Sequence, residues 1–334
     1  PGQALEIAEG GGDFNGDGYD DIVYGQFAYD IPGANNVGAY GIVFGREPVA
    51  DKIILVCEAD VLVEGTANGN NLGRGVTYVG DIDGDGCDEV AAGSYLEDLG
   101  LNNQGTVRIL FGYNDTDPTT TCATSPRTLL LRSGVANAQA GFSLDAGDVD
   151  GDGTVDIAVG GINLTVNNTA VGGAWIIPGA YLAQLEPEPF VQGTTPATLH
   201  LFAPPGITAN LRVEGEASAE QFGRSVAVID GAGPGGNAVL AVGGPFGNLT
   251  GVERTGTARV YTFIGDGTQP GDGLQPNPLA IVSGEMDRPE GRIGERVTGG
   301  LVGSTPVLVV GGFDGSAFGL DQGAAYILPL PAGN

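Results

Sequence analysis

The chain has 334 residues, 61 of them Gly and 20 Pro, with 41 acidic against 13 basic residues and a formal charge of −28. One lysine (Lys52) and scattered arginines argue against nucleic acid as a partner, because phosphate binding needs clustered basic side chains. The 41% hydrophobic content sits in short spaced runs, which does not fit disorder, and no G-X-Y period supports a collagen.

Taken in chain order, a short apolar run ending in Gly occurs five times: DIVYG (21–25), EVAAG (89–93), DIAVG (156–160), VLAVG (239–243) and VLVVG (307–311). The terminal glycines are 68, 67, 83 and 68 residues apart. A second glycine follows each by 12 or 13 residues (Gly38, Gly105, Gly172, Gly256, Gly323) and opens another apolar run. Two markers coinciding five times identify five tandem repeats. The runs are short, rich in β-branched and aromatic residues and bounded by Gly, Asn and Asp, so they read as strands. Only 180–185 reads as a helical turn, ended by Pro187.

Each repeat supplies a strand A before a polar loop, then B and C. A fourth strand, D, precedes the apolar–Gly pairs around Gly73, Gly141, Gly223 and Gly294. Four short strands per repeat of ~67 residues specify an all-β fold, a β-propeller of about five four-stranded blades. The repeats span approximately 1–64, 65–133, 134–214, 215–283 and 284–334, in a single domain. The longest interval carries about 15 extra residues, placed in the EPEPFVQGTTP segment (186–196) and expected to form a loop on one face. The chain opens on strand A and ends on strand C. There are thus five A–B–C sets but four D strands, and one blade has three strands unless residues or a partner outside this chain supply the fourth.

Between A and B, three repeats carry D-x-[DN]-x-D-G-x-x-[DE]. The candidate ligands are Asp13, Asn15, Asp17, Tyr19 and Asp21; Asp81, Asp83, Asp85, Cys87 and Glu89; and Asp148, Asp150, Asp152, Thr154 and Asp156. Side chains at loop positions 1, 3, 5 and 9 would coordinate, with the backbone carbonyl of position 7 completing the shell. Like charges ~4 Å apart repel by ~1 kcal/mol in water and more in a lower dielectric, and a dication reverses that sign. Hard oxygens at alternate positions around a Gly turn suit Ca²⁺ in three sites; Mg²⁺ prefers fewer protein ligands. An EF-hand would need an acid at position 12, where this chain has Tyr24, Ala92 and Val159.

With these residues in view, the pattern resembles FG-GAP repeats, the units of integrin α-subunit propellers and of many secreted bacterial proteins. The resemblance covers essentially the whole chain and implies calcium loops on one face of a propeller. Repeats 4 (IDGAGPGGNAVL) and 5 (GLVGSTPVL) depart from it by lacking the acidic ligands, and five repeats are fewer than the seven of the integrin ring.

The three cysteines admit one disulfide with a thiol left over, for which Cys57–Cys122 is the favoured pair, or three unpaired side chains. No nucleophile elbow, zinc-protease or P-loop motif occurs, and the single histidine, His200, sits in a strand-like run; no enzymatic activity is expected. Arg288, Arg292 and Arg296 read first as a solvated, self-paired loop, with recognition of a carboxylate or an acidic sugar as the alternative. Tyr24, Phe27, Tyr29 and Tyr95 could line a contact or simply pack. Four glycosylation sequons begin at Asn114, Asn163, Asn167 and Asn248. No run of 18 apolar residues occurs, so no transmembrane helix is expected. Low-affinity calcium loops suit an extracellular, secreted, cell-surface or periplasmic setting. The expected role is a binding or adhesion module, or a subunit of a larger assembly, recognising protein or glycan. A lectin-like sugar binder and an accessory domain of a polysaccharide- or phospholipid-active enzyme are the alternatives.

Overall fold

A computed structural model describes residues 7–46, 59–117, 119–203, 210–247, 255–265, 272–284, 292–314 and 322–330. Its strands form five main sheets in chain order, antiparallel except for one parallel pair, together with two small two-stranded hairpins. The first contains β1 (Ile7–Gly12), β2 (Asp21–Gln26), β3 (Ala39–Val43) and β4 (Val61–Glu64). The second contains β5 (Leu72–Tyr78), β6 (Val90–Ser94), β7 (Thr106–Phe111) and β8 (Arg127–Arg132). In the third repeat, β9 (Ala140–Gly147) and β10 (Asp156–Gly161) are followed by a small hairpin, β11 (Thr165–Val166) with β12 (Thr169–Ala170). Then come β13 (Gly173–Ile177), the single turn α1 (Gly179–Leu182), β14 (Glu188–Pro189), β15 (His200–Leu201) and β16 (Arg212–Glu214). The fourth repeat has β17 (Ser225–Ile229), β18 (Val239–Gly244), β19 (Thr257–Tyr261), a hairpin of β20 (Phe263–Ile264) and β21 (Gly273–Leu274), and β22 (Ala280–Ser283). The fifth is β23 (Arg296–Val302), β24 (Thr305–Asp314) and β25 (Gln322–Pro329), three strands among the described residues.

The fold is all-β and propeller-like, and each sheet is a blade. Strand B lies between A and C in every blade, and D pairs with C where it is present. The first strands of successive blades pack on one another along the series β1, β5, β9, β17, β23, so strand A is innermost. Four apolar clusters fill the spaces between neighbouring blades. A middle blade therefore buries both faces, which is why its B strand is an unbroken apolar run and not an alternating one. In β18 all six residues are buried, with Leu240 and Val242 turned toward the third blade and Val239 and Ala241 toward the fifth.

Glycine at the end of strand B is demanded by backbone contact. A Cβ on Gly243 would lie 2.1 Å from the carbonyl oxygen of Gly294, whose own φ is +89°. The apolar–Gly turn of one blade is thereby pressed into the B strand of the blade before it.

Two expectations are corrected. The long insertion is not a face loop: β14 and β15 leave their own blade and pair with β8, covering the outer edge of the second blade. This protects an edge strand that would otherwise expose unpaired backbone groups. The disulfide joins Cys87 to Cys122, with Cα atoms 5.6 Å apart, and not Cys57 to Cys122; Cys57 lies outside the described residues. Cys87 sits on the second acidic loop, and the β7–β8 connection passes directly over that loop, a proximity that sequence spacing does not reveal.

Candidate metal centre

The three acidic loops join strands A and B at the same end of the first three blades, and their local hydrogen bonding repeats. The carboxylate at position 1 accepts backbone N–H bonds from the loop ahead of it. Asp13 takes Asp17 N (3.0 Å) and Gly18 N (2.8 Å), Asp81 takes Asp85 N (3.0 Å) and Gly86 N (2.9 Å), and Asp148 takes Gly151 N (2.7 Å) and Gly153 N (3.0 Å). The position-5 carboxylates of Asp17, Asp85 and Asp152 accept from the position-7 amides of Tyr19, Cys87 and Thr154 at 3.0, 3.0 and 2.7 Å. Short acidic side chains fold each turn around their own oxygens because Asp bonds readily to amides a few residues on.

The position-9 acids behave differently. Asp21, Glu89 and Asp156 are fully buried. One oxygen of each accepts the position-2 amide: Phe14 N on Asp21 (2.8 Å), Ile82 N on Glu89 (2.6 Å) and Val149 N on Asp156 (2.8 Å). The other accepts a glycine amide after strand C, from Gly45 (2.7 Å), Gly112 (3.3 Å) and Gly179 (2.8 Å). Burial pushes these carboxyls up, Asp21 to about 6, Glu89 to about 9 and Asp156 to about 7, and the neighbouring loop acids add to the rise. Amide bonds act the other way without cancelling the cost of burial.

Ligand oxygens of Asp81, Asp83 and Asp85 come within 4.8 Å of one another, as do those of Asp148, Asp150 and Asp156. The first loop forms no such acidic trio among the described residues; its third position is Asn15, which lies beside Asp17 (Nδ2 to Oδ2 3.0 Å). The donor set fits Ca²⁺: hard oxygens only, converging on a turn, with a buried acid at the base whose ionisation a dication would favour. Asp85 also lies near Cys87 and Cys122, but those sulfurs form a disulfide and offer no thiolate.

Residues outside the ligand positions brace the loops. Asp88 accepts Asp13 N (2.9 Å) while its own amide bonds to Asp13 O (2.9 Å), tying the first two loops together. Asn114 donates to Asn15 O at 2.8 Å. Arg127 pairs with Asp83 at 2.6 Å and Asp85 at 3.4 Å, and Thr121 and Ala123 bond to Asp85. The sequence signalled none of these partners; Asp88 occupies position 8 of the second motif, which the pattern leaves open. In the fourth blade the ligands give way to a 3₁₀ turn at Pro234–Gly236, and Asn237 donates to Asp150 O (3.2 Å). In the fifth, a two-residue turn at 303–304 closes the β23–β24 hairpin.

Residues 76–110, running from β5 through the second loop to β7, match the family model described as FG-GAP repeat. The chain carries an FG-GAP repeat. The chain is 30% identical over 152 residues to phosphatidylinositol-glycan-specific phospholipase D of Bos taurus, a match covering 44% of this chain and 17% of the relative. The protein of the same name from Mus musculus is 28% identical over 149 residues, again 44% of this chain and 17% of the relative.

The other candidates are dispersed. His200 lies on β15, its ring kept below the usual histidine range by burial, with Glu188 opposing that shift. Arg292 sits over the Phe246 ring at 5.3 Å, while Arg288 lies outside the described residues. Tyr24 is buried, Tyr95 meets Phe142 edge-on at 5.1 Å, and Phe27 lies under Arg74. Asn114 is buried by its own hydrogen bonds, whereas Asn167 is exposed; Asn248 is outside the described residues. No helix among the described residues is long and apolar enough to cross a membrane.

Proposed function

We propose that the chain is a calcium-braced extracellular binding module, non-enzymatic itself, whose blades present loops to a protein or glycan partner. The observation that carries this reading is one loop hydrogen-bonding pattern recurring three times over a fully buried carboxylate, with carboxylate oxygens converging in the second and third loops. The disulfide agrees with an oxidising compartment. Calcium here is structural. It would be held by Asp13, Asn15, Asp17 and Asp21; Asp81, Asp83, Asp85 and Glu89; and Asp148, Asp150, Asp152 and Asp156, with the carbonyls of Tyr19, Cys87 and Thr154. Bound Ca²⁺ would neutralise the loop acids, while Asp88, Asn114 and Arg127 keep the loops in position.

The test is calcium titration by calorimetry and thermal unfolding. Three sites are expected. At calcium a hundredfold above the dissociation constant, each should add about 2.7 kcal/mol to stability. Identical melting in EDTA and in millimolar calcium would refute the reading.

The partial match to a phospholipase D favours a second reading, an accessory module of a phospholipid-active protein. Binding of vesicles containing glycosylated phosphatidylinositol, compared with plain phosphatidylcholine vesicles, separates the two.

A further inference from the structure

The first and second acidic loops belong to different blades, yet one stretch of chain touches both. In the first and third blades the glycine after strand C lies against the loop of its own blade. A Cβ on Gly45 would meet Asp20 O at 2.3 Å, and one on Gly179 would meet Val155 O at 2.4 Å. Gly112, at the same position in the second blade, would meet Asp88 O of its own loop at 2.9 Å and Phe14 O of the first loop at 2.6 Å.

From Gly112 the β7–β8 connection reaches over both loops. Asn114 donates its side-chain amide to Asn15 O in the first loop (2.8 Å) and its backbone amide to Ala123 O (2.9 Å). Ala123 N in turn bonds to Asp85 Oδ2 at 3.0 Å, and the Thr121 hydroxyl to Asp85 O, both in the second loop. The Cys87–Cys122 bridge closes the connection onto the second loop, and its sulfurs rest on the backbone of the first. A Cβ on Gly16 would lie 2.6 Å from Cys122 Sγ and 3.0 Å from Cys87 Sγ. With the Asp13–Asp88 exchange added, the candidate ligands Asp13, Asn15, Asp85 and Cys87 are held by one assembly. The third loop is braced from elsewhere: Asn237 of the fourth blade donates to Asp150 O at 3.2 Å and would touch a Cβ on Gly151 at 2.7 Å.

We propose that the first two calcium loops form one coupled pair, tied by the disulfide-closed β7–β8 connection, while the third binds independently. Ordering either loop around an ion fixes the connection, and the fixed connection spares the other loop part of the entropy it loses on closing. The coupling is reciprocal, so each site raises the affinity of the other by the same factor. Repulsion between two dications is offset, because residues 13–21 hold four acids and residues 81–89 five, more than one dication neutralises in each loop. The inference rests on the calcium reading for its ions and goes beyond it in the coupling.

The test uses the full chain with calcium chloride, each loop's affinity being read from calcium-dependent protection of its amides in hydrogen exchange. Asp83→Ala removes a ligand of the second loop and none of the bonds from the connection. It should lower the first loop's affinity by about fivefold or more and leave the third's unchanged. In a Cys87→Ala, Cys122→Ala background, which keeps the residue-87 carbonyl, Asp83→Ala should no longer move the first loop's affinity. A metal-free arm in EDTA reads the same link. The double cysteine variant should speed exchange at Asp17, Gly18 and Tyr19, in a blade that carries neither cysteine, but not at Gly153 and Thr154. Asn114→Ala, which leaves the bridge intact, should do the same to a smaller extent. A first loop indifferent to Asp83→Ala, coupling that survives loss of the bridge, or exchange that quickens equally in the first and third loops of both variants overturns the inference. Absence of calcium binding at every loop overturns the calcium reading together with it, whereas three independent affinities overturn this inference alone.

Discussion

Glu9 offers a test of the central packing that is independent of the metal loops. It lies on β1, where its carboxylate accepts the Thr77 hydroxyl at 3.0 Å, with Asp145 of the third blade as a neighbouring like charge. Burial first, and Asp145 second, raise its pKa from 4.5 to about 7. A rise of that size corresponds to about 3 kcal/mol; because Glu9 is only half-buried, screening by solvent leaves about 2 kcal/mol. The folded-state pKa lies above the unfolded one, so the folded chain holds the proton more tightly. The contribution is full below pH 4.5 and is lost as the pH rises through about 7. Glu9→Gln keeps the bond to Thr77 and removes the titration. Urea unfolding in EDTA should therefore find the variant equal to wild type at pH 4 and about 2 kcal/mol more stable at pH 8. A variant no more stable than wild type at pH 8 would refute the argument.

Two further perturbations address single interactions. The Cys87–Cys122 bridge spans 35 residues, so Cys122→Ser should cost about 3–4 kcal/mol by the loop-entropy relation, measured by urea unfolding under non-reducing conditions. The pair Glu220–Arg259 (2.8 Å) is buried at 0% and 1% side-chain exposure. Glu220 also accepts the amides of Glu216 and Ala217 and the Thr257 hydroxyl, so Glu220→Gln removes the buried counter-charge and leaves the guanidinium only the exposed Glu216 at 3.8 Å. That change should cost about 3–5 kcal/mol, and the double change Glu220→Gln with Arg259→Met should recover part of it.

The blades were legible because their punctuation is backbone chemistry. Gly243 and Gly294 touch main chain to main chain, so no other residue serves there, and the same demand recurs at fixed spacing. The acidic turns were legible for a similar reason, since Asp at alternate positions folds its own turn. What remained hidden depends on contacts between blades. Arg127 is 42 residues from Asp85, Asn114 is 99 from Asn15, and neither separation carries a signal. The Cys87–Cys122 pairing was missed because Cys87 reads as a loop residue and Cys57 as a strand residue, with nothing in the spacing to show which faces the β7–β8 connection. The insertion read as a loop because strands of two residues, Glu188–Pro189 and His200–Leu201, are too short for any periodicity and exist only through the edge of β8.

That borrowed edge also bears on how the molecule comes apart. In a linear array each unit normally holds only its immediate neighbours through side-chain packing, and loss can start at any weak junction. Here the third blade grips the second by main-chain bonds on its rim, while the two A strands pack at the axis and Trp175 meets Phe202 edge-on at 6.1 Å behind that grip. The second blade is in turn locked to the first by the Asp13–Asp88 exchange. Unravelling under denaturant or tension therefore proceeds inward from the fourth and fifth blades, and the first three separate last, as one cooperative block.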